Sequence, residues 1–225
     1  MCGRYTLHSK DRIELKGLVE LELPFAARYN IAPGQNVLVI GDFGRGLEER
    51  LLRWGLIPSW STDGKGFINA RAETLEERPS FSESFRLRRC LIPADGFFEW
   101  KRAGREKQPY YLRSGDDKPL LFAGIWDSWW NQGELVRSCA IITTEANPMV
   151  GELHNRMPAI LAPEVYRAWL DRRTNRAELW QMVRPFPAEQ MKTHPVGSGV
   201  NSPGNDAVDL IAPVDLGLGQ TMSLF

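Results

Sequence analysis

Cysteine and histidine are scarce in this 225-residue chain, and net charge is absent. Three cysteines, Cys2, Cys90 and Cys139, include no CxxC pair, which excludes a disulfide framework. The three histidines, His8, His154 and His194, lack metal-ligand spacing, so neither a metal nor any other cofactor is expected. No apolar run approaches the roughly 20 residues that cross a bilayer. The chain does not open with a charged segment followed by an apolar one, so no secretion signal is expected. Twenty-eight basic residues balance 28 acidic ones, and any nucleic-acid surface would have to be local. Repeats, low-complexity segments and linkers are also missing. A soluble protein in a reducing compartment is expected, a single domain over residues 1–225, monomeric and cytoplasmic, or nucleoid-associated if bacterial.

What is present is core-forming material: 43% of residues are hydrophobic and 10% aromatic. Short β-type runs are expected at 4–7, 36–40, 50–54, 97–101, 108–113, 120–126 and 135–144, with a hairpin turning near Ala103 and Gly104. Ser9 is placed to cap a short helix whose Ile13, Leu15, Leu18 and Val19 share a stripe. Two later helices are expected at 163–170 and 176–183, and an irregular, packed tail from Lys192. The segment WGLIPSW (54–60), broken by Pro58, reads as a loop wall. Strands outnumber helices without a βαβ rhythm, which predicts an α+β, mostly antiparallel fold.

The chain begins Met1-Cys2-Gly3. Removing Met1 would give Cys2 a free α-amine beside its thiol, and both groups are partly usable as nucleophiles near neutral pH. Such a 1,2-aminothiol converts an aldehyde to a Schiff base and then closes a thiazolidine ring. An N-terminal cysteine also suits amide hydrolysis, and position alone does not choose between the two.

Four further segments place polar groups where packing alone would not. In FINARAET (67–74), Asn69, Arg71 and Glu73 would share one strand face. There Asn69 could orient an amine and Arg71 bind a phosphate, or Arg71 and Glu73 could simply pair locally. Glu99, between Phe98 and Trp100, is a carboxylate among aromatics, suited to proton transfer if desolvated and plain if on a wet face. His154 could shuttle protons or be structural, and Arg156 two residues on is a second phosphate candidate. The stretch 101–113 sets five cations against Glu106 alone, with tyrosines interleaved, as in a solvated hairpin or a nucleic-acid face.

Taken in order, MCGRY (1–5), RYNIAPGQ (28–35), WGLIPSW (54–60), FINARAET (67–74), PADGFFEWK (93–101), KQPYYL (107–112), LHNRMPAIL (153–161) and VNSPGND (200–206) closely resemble the SOS-response-associated peptidase family, which shields abasic sites in single-stranded DNA. The resemblance implies a bifurcated sheet curled into a pseudo-barrel with a few peripheral helices. It implies that Cys2 crosslinks to the ring-opened abasic aldehyde, with Asn69 positioning its amine, Glu99 handling protons and His154 assisting the Schiff-base step. It assigns Arg4, Arg71, Thr143 and Arg156 to phosphates, and Asn30, Pro33, Trp60 and Trp100 to a groove wall for bases. The expected partner is therefore abasic single-stranded DNA, with no membrane.

Two other readings stay in view. Class II glutamine amidotransferases also start Met-Cys-Gly, but continue with an apolar residue and glycine where this chain has Arg4 and Tyr5, and their Asn-Gly-Glu or Asn-Gly-Asp motif is missing here. A non-catalytic reader of modified bases would leave Cys2 incidental.

Overall fold

A computed structural model describes residues 2–216 except 11, 12, 14, 16, 23, 25 and 105. Its strands are β1 (Tyr5–Leu7), β2 (Arg28–Ile31), β3 (Asn36–Asp42), β4 (Leu47–Trp54), β5 (Asn69–Arg71), β6 (Arg89–Ala94), β7 (Gly96–Ala103), β8 (Glu106–Ser114), β9 (Leu120–Asn131), β10 (Glu134–Glu145), β11 (Arg156–Pro158), β12 (Ile160–Leu161) and β13 (Met191–Pro195). Short helices α1 (Ser82–Leu87), α2 (Pro148–Gly151), α3 (Tyr166–Leu170) and α4 (Arg176–Met182) lie between them.

The pairings β10–β4, β4–β3, β3–β6, β6–β9 and β9–β10 form a closed circuit of five strands. All are antiparallel except β10–β4. A second sheet runs β13–β8–β7–β1–β2. β10 is where the first sheet forks. Along one edge it leaves β9 after Ile141 and takes up β11 at Thr143, and along the other it passes from β4 to β5. The mostly antiparallel pseudo-barrel is thus as expected.

Strand β6 is buried at every position, and β9 and β10 nearly so over their inner halves, because both faces are covered. One core lies between the sheets, where Tyr5 meets Trp54 and Phe122 edge-on at ring distances of 5.3 and 6.0 Å. A second packs helices against the barrel through Phe85, Trp169 and Leu179. A third, small cluster of Phe98, Tyr111, Val196 and Val200 covers the other face of the second sheet. Gly96 lets β7 approach β8 there: a Cβ would lie 2.5 Å from both the Leu112 carbonyl and the Tyr111 ring. That approach accompanies a 2.8 Å hydrogen bond between the Thr6 and Tyr111 hydroxyls.

Three expectations need correction. The helix after Ser9 falls partly outside the described residues, and the described ones from 13 to 22 are turn and irregular chain. Its intended cap is committed elsewhere, since the Ser9 amide and hydroxyl both donate to Asp95, and Gly17 at φ +70° breaks a helical run. Leu15 is buried nonetheless, in irregular chain among the described residues, and Lys10 is 3-10 helical. The tail from Lys192 is not wholly irregular: β13 pairs with β8 from Met191 to Pro195. Residues 163–170 start as a 3-10 turn, and only Tyr166–Leu170 is α-helical.

Arg89 closes two helix ends at once. Its guanidinium, 4% exposed, donates to the carbonyls of Phe85, Arg86, Trp169 and Asp171 at 2.6–2.8 Å. Burial pulls its pKa down to about 10, yet it stays charged. Arg89→Met would leave those carbonyls unmet. Charged hydrogen bonds contribute about 1.5–3 kcal/mol each, so a net loss of about 3 kcal/mol is expected. At this chain length that is a fall in Tm of about 6–12 °C, to be read from thermal melts. A fall below about 2 °C would show that water meets the carbonyls instead.

Candidate functional site

The site is built where the chain start runs between the two sheets. Tyr5 pairs with Phe97 and Thr6 with Gly96, and the Arg4 carbonyl accepts from the Phe98 amide at 3.0 Å. This pairing draws Cys2 alongside β7, where it is fully buried within the core between the sheets. Alternation along β7 turns Phe97 to that core and Phe98 to the opposite cluster, so Glu99 shares the side of Phe97. Glu99 is 3% exposed.

From the barrel, β5 supplies Asn69, whose Nδ2 donates to the Cys2 carbonyl at 2.9 Å. The Asn69 Oδ1 is buried without a hydrogen-bond partner. His154 follows α2 and precedes β11, and is half-buried. Its Nδ1 accepts from the Arg156 amide at 3.0 Å, which fixes the neutral ring's proton on Nε2.

Burial, with a smaller push from Glu99, raises the Cys2 thiol pKa well above its usual range. The charge at the amino terminus and an Arg4 amide hydrogen bond oppose this. Burial also raises the Glu99 carboxyl, against the amino terminus and the Trp100 amide. His154 is lowered by burial and by the positive charges of the amino terminus and Arg156. The amino-terminal charge therefore acts on Cys2, Glu99 and His154 alike. With Asn69 bonded to Cys2, the four expected catalytic residues converge on the start of the chain. A hard-to-ionise thiol, a carboxyl with a raised pKa and a neutral imidazole form a set suited to moving protons rather than holding charge.

The expected phosphate ligands differ in their surroundings. Arg156 forms a bidentate pair with Glu73, both bonds 2.8 Å, and donates to the Thr143 carbonyl at 2.6 Å. Glu73 sits on a 3-10 turn after β5, so it pairs across the site and not with Arg71 through a shared strand face. Burial pushes the Glu73 carboxyl up, but Arg156, the Glu73 amide and Arg71 together outweigh it and hold the pKa below the ordinary value. Arg71 is exposed, and with Glu73, His154 and Arg156 it lines a depression of about 470 Å³. Thr143 pairs with Arg71 in the β10–β5 ladder and is fully buried, its hydroxyl without a partner. Arg4 is half-buried and donates to Asn30 Oδ1 at 2.8 Å.

Of the expected groove residues, Pro33 is exposed and Trp60 is 60% exposed. The turn carrying Pro33 is bonded to the end of β4, through Gly34 to the Trp54 carbonyl and Trp54 to the Gln35 carbonyl. The loop bearing Trp60 is pinned by Ser138 Oγ on the Ile57 amide, by Asp127 on the Ser59 amide and by the Trp129 indole on the Ser61 carbonyl. A Cβ on Gly66 would come within 2.7 Å of the Gly55 carbonyl, so the loop ends close tightly. Trp100 is half-buried, its indole N–H on Asn201 Oδ1 at 2.8 Å. Asn30 does not reach the open surface. It is 0% exposed and its amide is used internally, which places it behind the groove. Sequence reasoning missed Glu73 as the partner of Arg156, Asp127 as a loop anchor and Asp206 as a tail anchor. Each is an isolated carboxylate with no periodicity to mark it.

A raised native pKa makes a stability prediction. The Glu99 contribution is fully present below the ordinary carboxylate value and is lost as pH rises through the raised native value. Glu99→Gln, which stays neutral, should therefore raise Tm at about pH 7 and leave it unchanged at about pH 4. Thermal melts at both pH values check this. A lower Tm for the variant at neutral pH would mean that the carboxylate is net stabilising.

Comparison with known proteins gives one consistent picture. The family model described as SOS response associated peptidase (SRAP) matches residues 1–203. The abasic site processing protein YoqW of Bacillus subtilis is 40% identical over 221 residues, covering 94% of this chain and 99% of that protein. The abasic site processing protein YedK of Escherichia coli is 32% identical over 224 residues, covering 95% and 100%. A crystal structure of a Bacteroides thetaiotaomicron protein superposes with a TM-score of 0.76 at 31% identity, over 83% of this chain and 85% of that one.

Proposed function

The chain belongs to the SOS response associated peptidase family, and on that footing we propose that it processes abasic sites in DNA by covalent capture through Cys2. The observation that carries the reading is the anchored chain start: Cys2 is bonded to Asn69 and electrostatically coupled to buried Glu99. Once Met1 is removed, by self-cleavage or an aminopeptidase, the α-amine of Cys2 attacks the abasic aldehyde and forms a carbinolamine. Loss of water gives the imine. The thiol then adds to the imine carbon while its proton passes to nitrogen, closing a thiazolidine with one water released overall.

Each neighbour has a part in this sequence. The Asn69–Cys2 bond fixes the backbone that carries the amine. Glu99, easily protonated, supplies the proton that turns the carbinolamine hydroxyl into water and takes one back on reversal. Neutral His154 accepts a proton as the amine attacks. Arg4, Arg71 and Arg156 face backbone phosphates, while Trp60, Trp100 and Pro33 line the path of the bases. Thr143, fully buried beside Arg71 in the β10–β5 ladder, does not reach the strand as the resemblance implied. No resident metal or cofactor enters the scheme.

Incubated with single-stranded DNA bearing an abasic site, the processed protein should give a denaturant-stable adduct one water lighter than its components. Cys2→Ala should abolish it, and so should Cys2→Ser, because an oxygen analogue of the ring reopens readily. Intact mass reads the adduct and Met1 loss together. A stable adduct from Cys2→Ala at wild-type yield would end this mechanism, and undiminished DNA affinity without any adduct from wild type would favour a non-catalytic reader. Binding should also favour single strands over continuous duplex, since exposed Trp60 can stack only on unpaired bases, at about 1–3 kcal/mol per base. Equal affinities at moderate salt would remove the groove from the scheme.

A further inference from the structure

Arg4 differs from Arg156 in one respect. Among the described residues it forms no ion pair. Its Nη1 donates to two neutral oxygens, Asn30 Oδ1 at 2.8 Å and the Val200 carbonyl at 2.6 Å, and its Nε is buried without a partner. Burial lowers its pKa, so holding the charge there has a cost that no neighbouring carboxylate offsets.

The group that holds Arg4 is itself held on every side. Asn30 is fully buried, and its Nδ2 donates to the carbonyls of Ser202 and Asn205 at 2.9 and 2.7 Å, with a longer contact to Val200. The Asn30 backbone amide donates to Asp206 at 3.0 Å, and the same carboxylate accepts from the Tyr29 amide and from Arg28 Nε. The 200–206 tail is thereby sewn to β2. It also supplies both the second oxygen on Arg4 and the Asn201 acceptor for Trp100.

A carboxamide suits position 30. It accepts from the cation on one side and donates to carbonyls on the other. An aspartate would neutralise Arg4 and face the tail carbonyls with a negative charge. The arrangement fixes the guanidinium and leaves its charge for an anion from outside.

We propose that Asn30 is a positioning residue which, with the tail anchored by Asp206, presents Arg4 as an uncompensated cation to a backbone phosphate of the bound strand. The inference rests on the DNA-binding reading above. It moves Asn30 from the groove wall to a place behind Arg4.

The test is a pair of double-mutant cycles on undamaged single-stranded DNA, so that no covalent step intervenes. Affinity is measured against salt for wild type, Arg4→Gln, Asn30→Ala, Asp206→Ala and each of the last two combined with Arg4→Gln, with folding checked by thermal melts. Arg4→Gln should flatten the plot of log K against log salt by about 0.7, the value for one phosphate contact on a single strand. Asn30→Ala and Asp206→Ala should each give part of that flattening. In the Arg4→Gln background either should change Kd by less than about twofold. Should Asn30→Ala fail to fold, the Asp206→Ala cycle decides alone.

Losses that persist in full without Arg4 would overturn the proposal, since Asn30 would then act on DNA directly or through general stability. An unchanged salt slope for Arg4→Gln or Asp206→Ala would overturn it too, while leaving the DNA reading intact. No single-strand affinity in wild type would defeat the DNA reading itself and take this inference with it.

Discussion

The antiparallel pairing of β1 with β7 is the constraint on which the site depends. Chain termini are usually the least ordered part of a protein. Here the third residue after Cys2 is Tyr5, fully buried against Trp54 and Phe122, and the Arg4 carbonyl is bonded to the Phe98 amide. Burying one aromatic side chain stabilises by about 1.5–3 kcal/mol, enough to oppose the entropy of fixing one or two backbone residues. The core thus holds the chain start in place. The same pairing decides which β7 side chain shares the cysteine's side, so Glu99 and Cys2 come together through register and not through any local motif.

That placement has an electrostatic consequence. The Glu99 carboxylate disfavours the charged form of the Cys2 thiol, and burial raises the pKa of both groups. The amino terminus counters both, helped by the Arg4 amide at Cys2 and the Trp100 amide at Glu99. Under the capture proposed above, consumption of the terminal amine by an aldehyde would change the charge balance felt by Cys2, Glu99 and His154 together. The groups that would move protons are therefore those whose protonation the reaction itself alters. Such a site is held at some expense of stability, as polar functional clusters in cores commonly are.

How much of this was legible beforehand depended on the range of the signal. The strands β3, β4 and β7 to β10 were marked by short-range alternation and apolar runs, and they lie where expected. Asn69, Glu99 and His154 stood out because each is a polar residue in an apolar run, and the fold does gather them around Cys2. The helix expected after Ser9 lies partly outside the described residues: Lys10 is 3-10 helical, the described residues from 13 to 22 are not helical, and the distant Asp95 takes the serine expected to cap it. Strand β13 was missed because its solvent-facing residues hide the alternation. The pairing of Glu73 with Arg156 spans 83 positions, and nothing in local spacing encodes it.

The two arginines that flank the site show how the fold separates position from charge. Arg156 is oriented by a carboxylate, so under the proposed reading a phosphate would have to share it with Glu73. Arg4 is oriented by an amide and a carbonyl, which fix its geometry and leave its full charge available. Orientation by neutral groups needs more of them, because each hydrogen bond is weaker than an ion pair. This accounts for the density of bonding behind Arg4, where Asn30, Asp206 and three tail carbonyls converge on a few atoms. It also gives the 200–206 segment a physical reason to be rich in Asn, Ser, Pro and Gly: it must stay compact and irregular, so that its carbonyls point inward instead of pairing in a sheet. The tail thereby holds Arg4 two residues from Cys2, as Asn69 on β5 holds Cys2 itself.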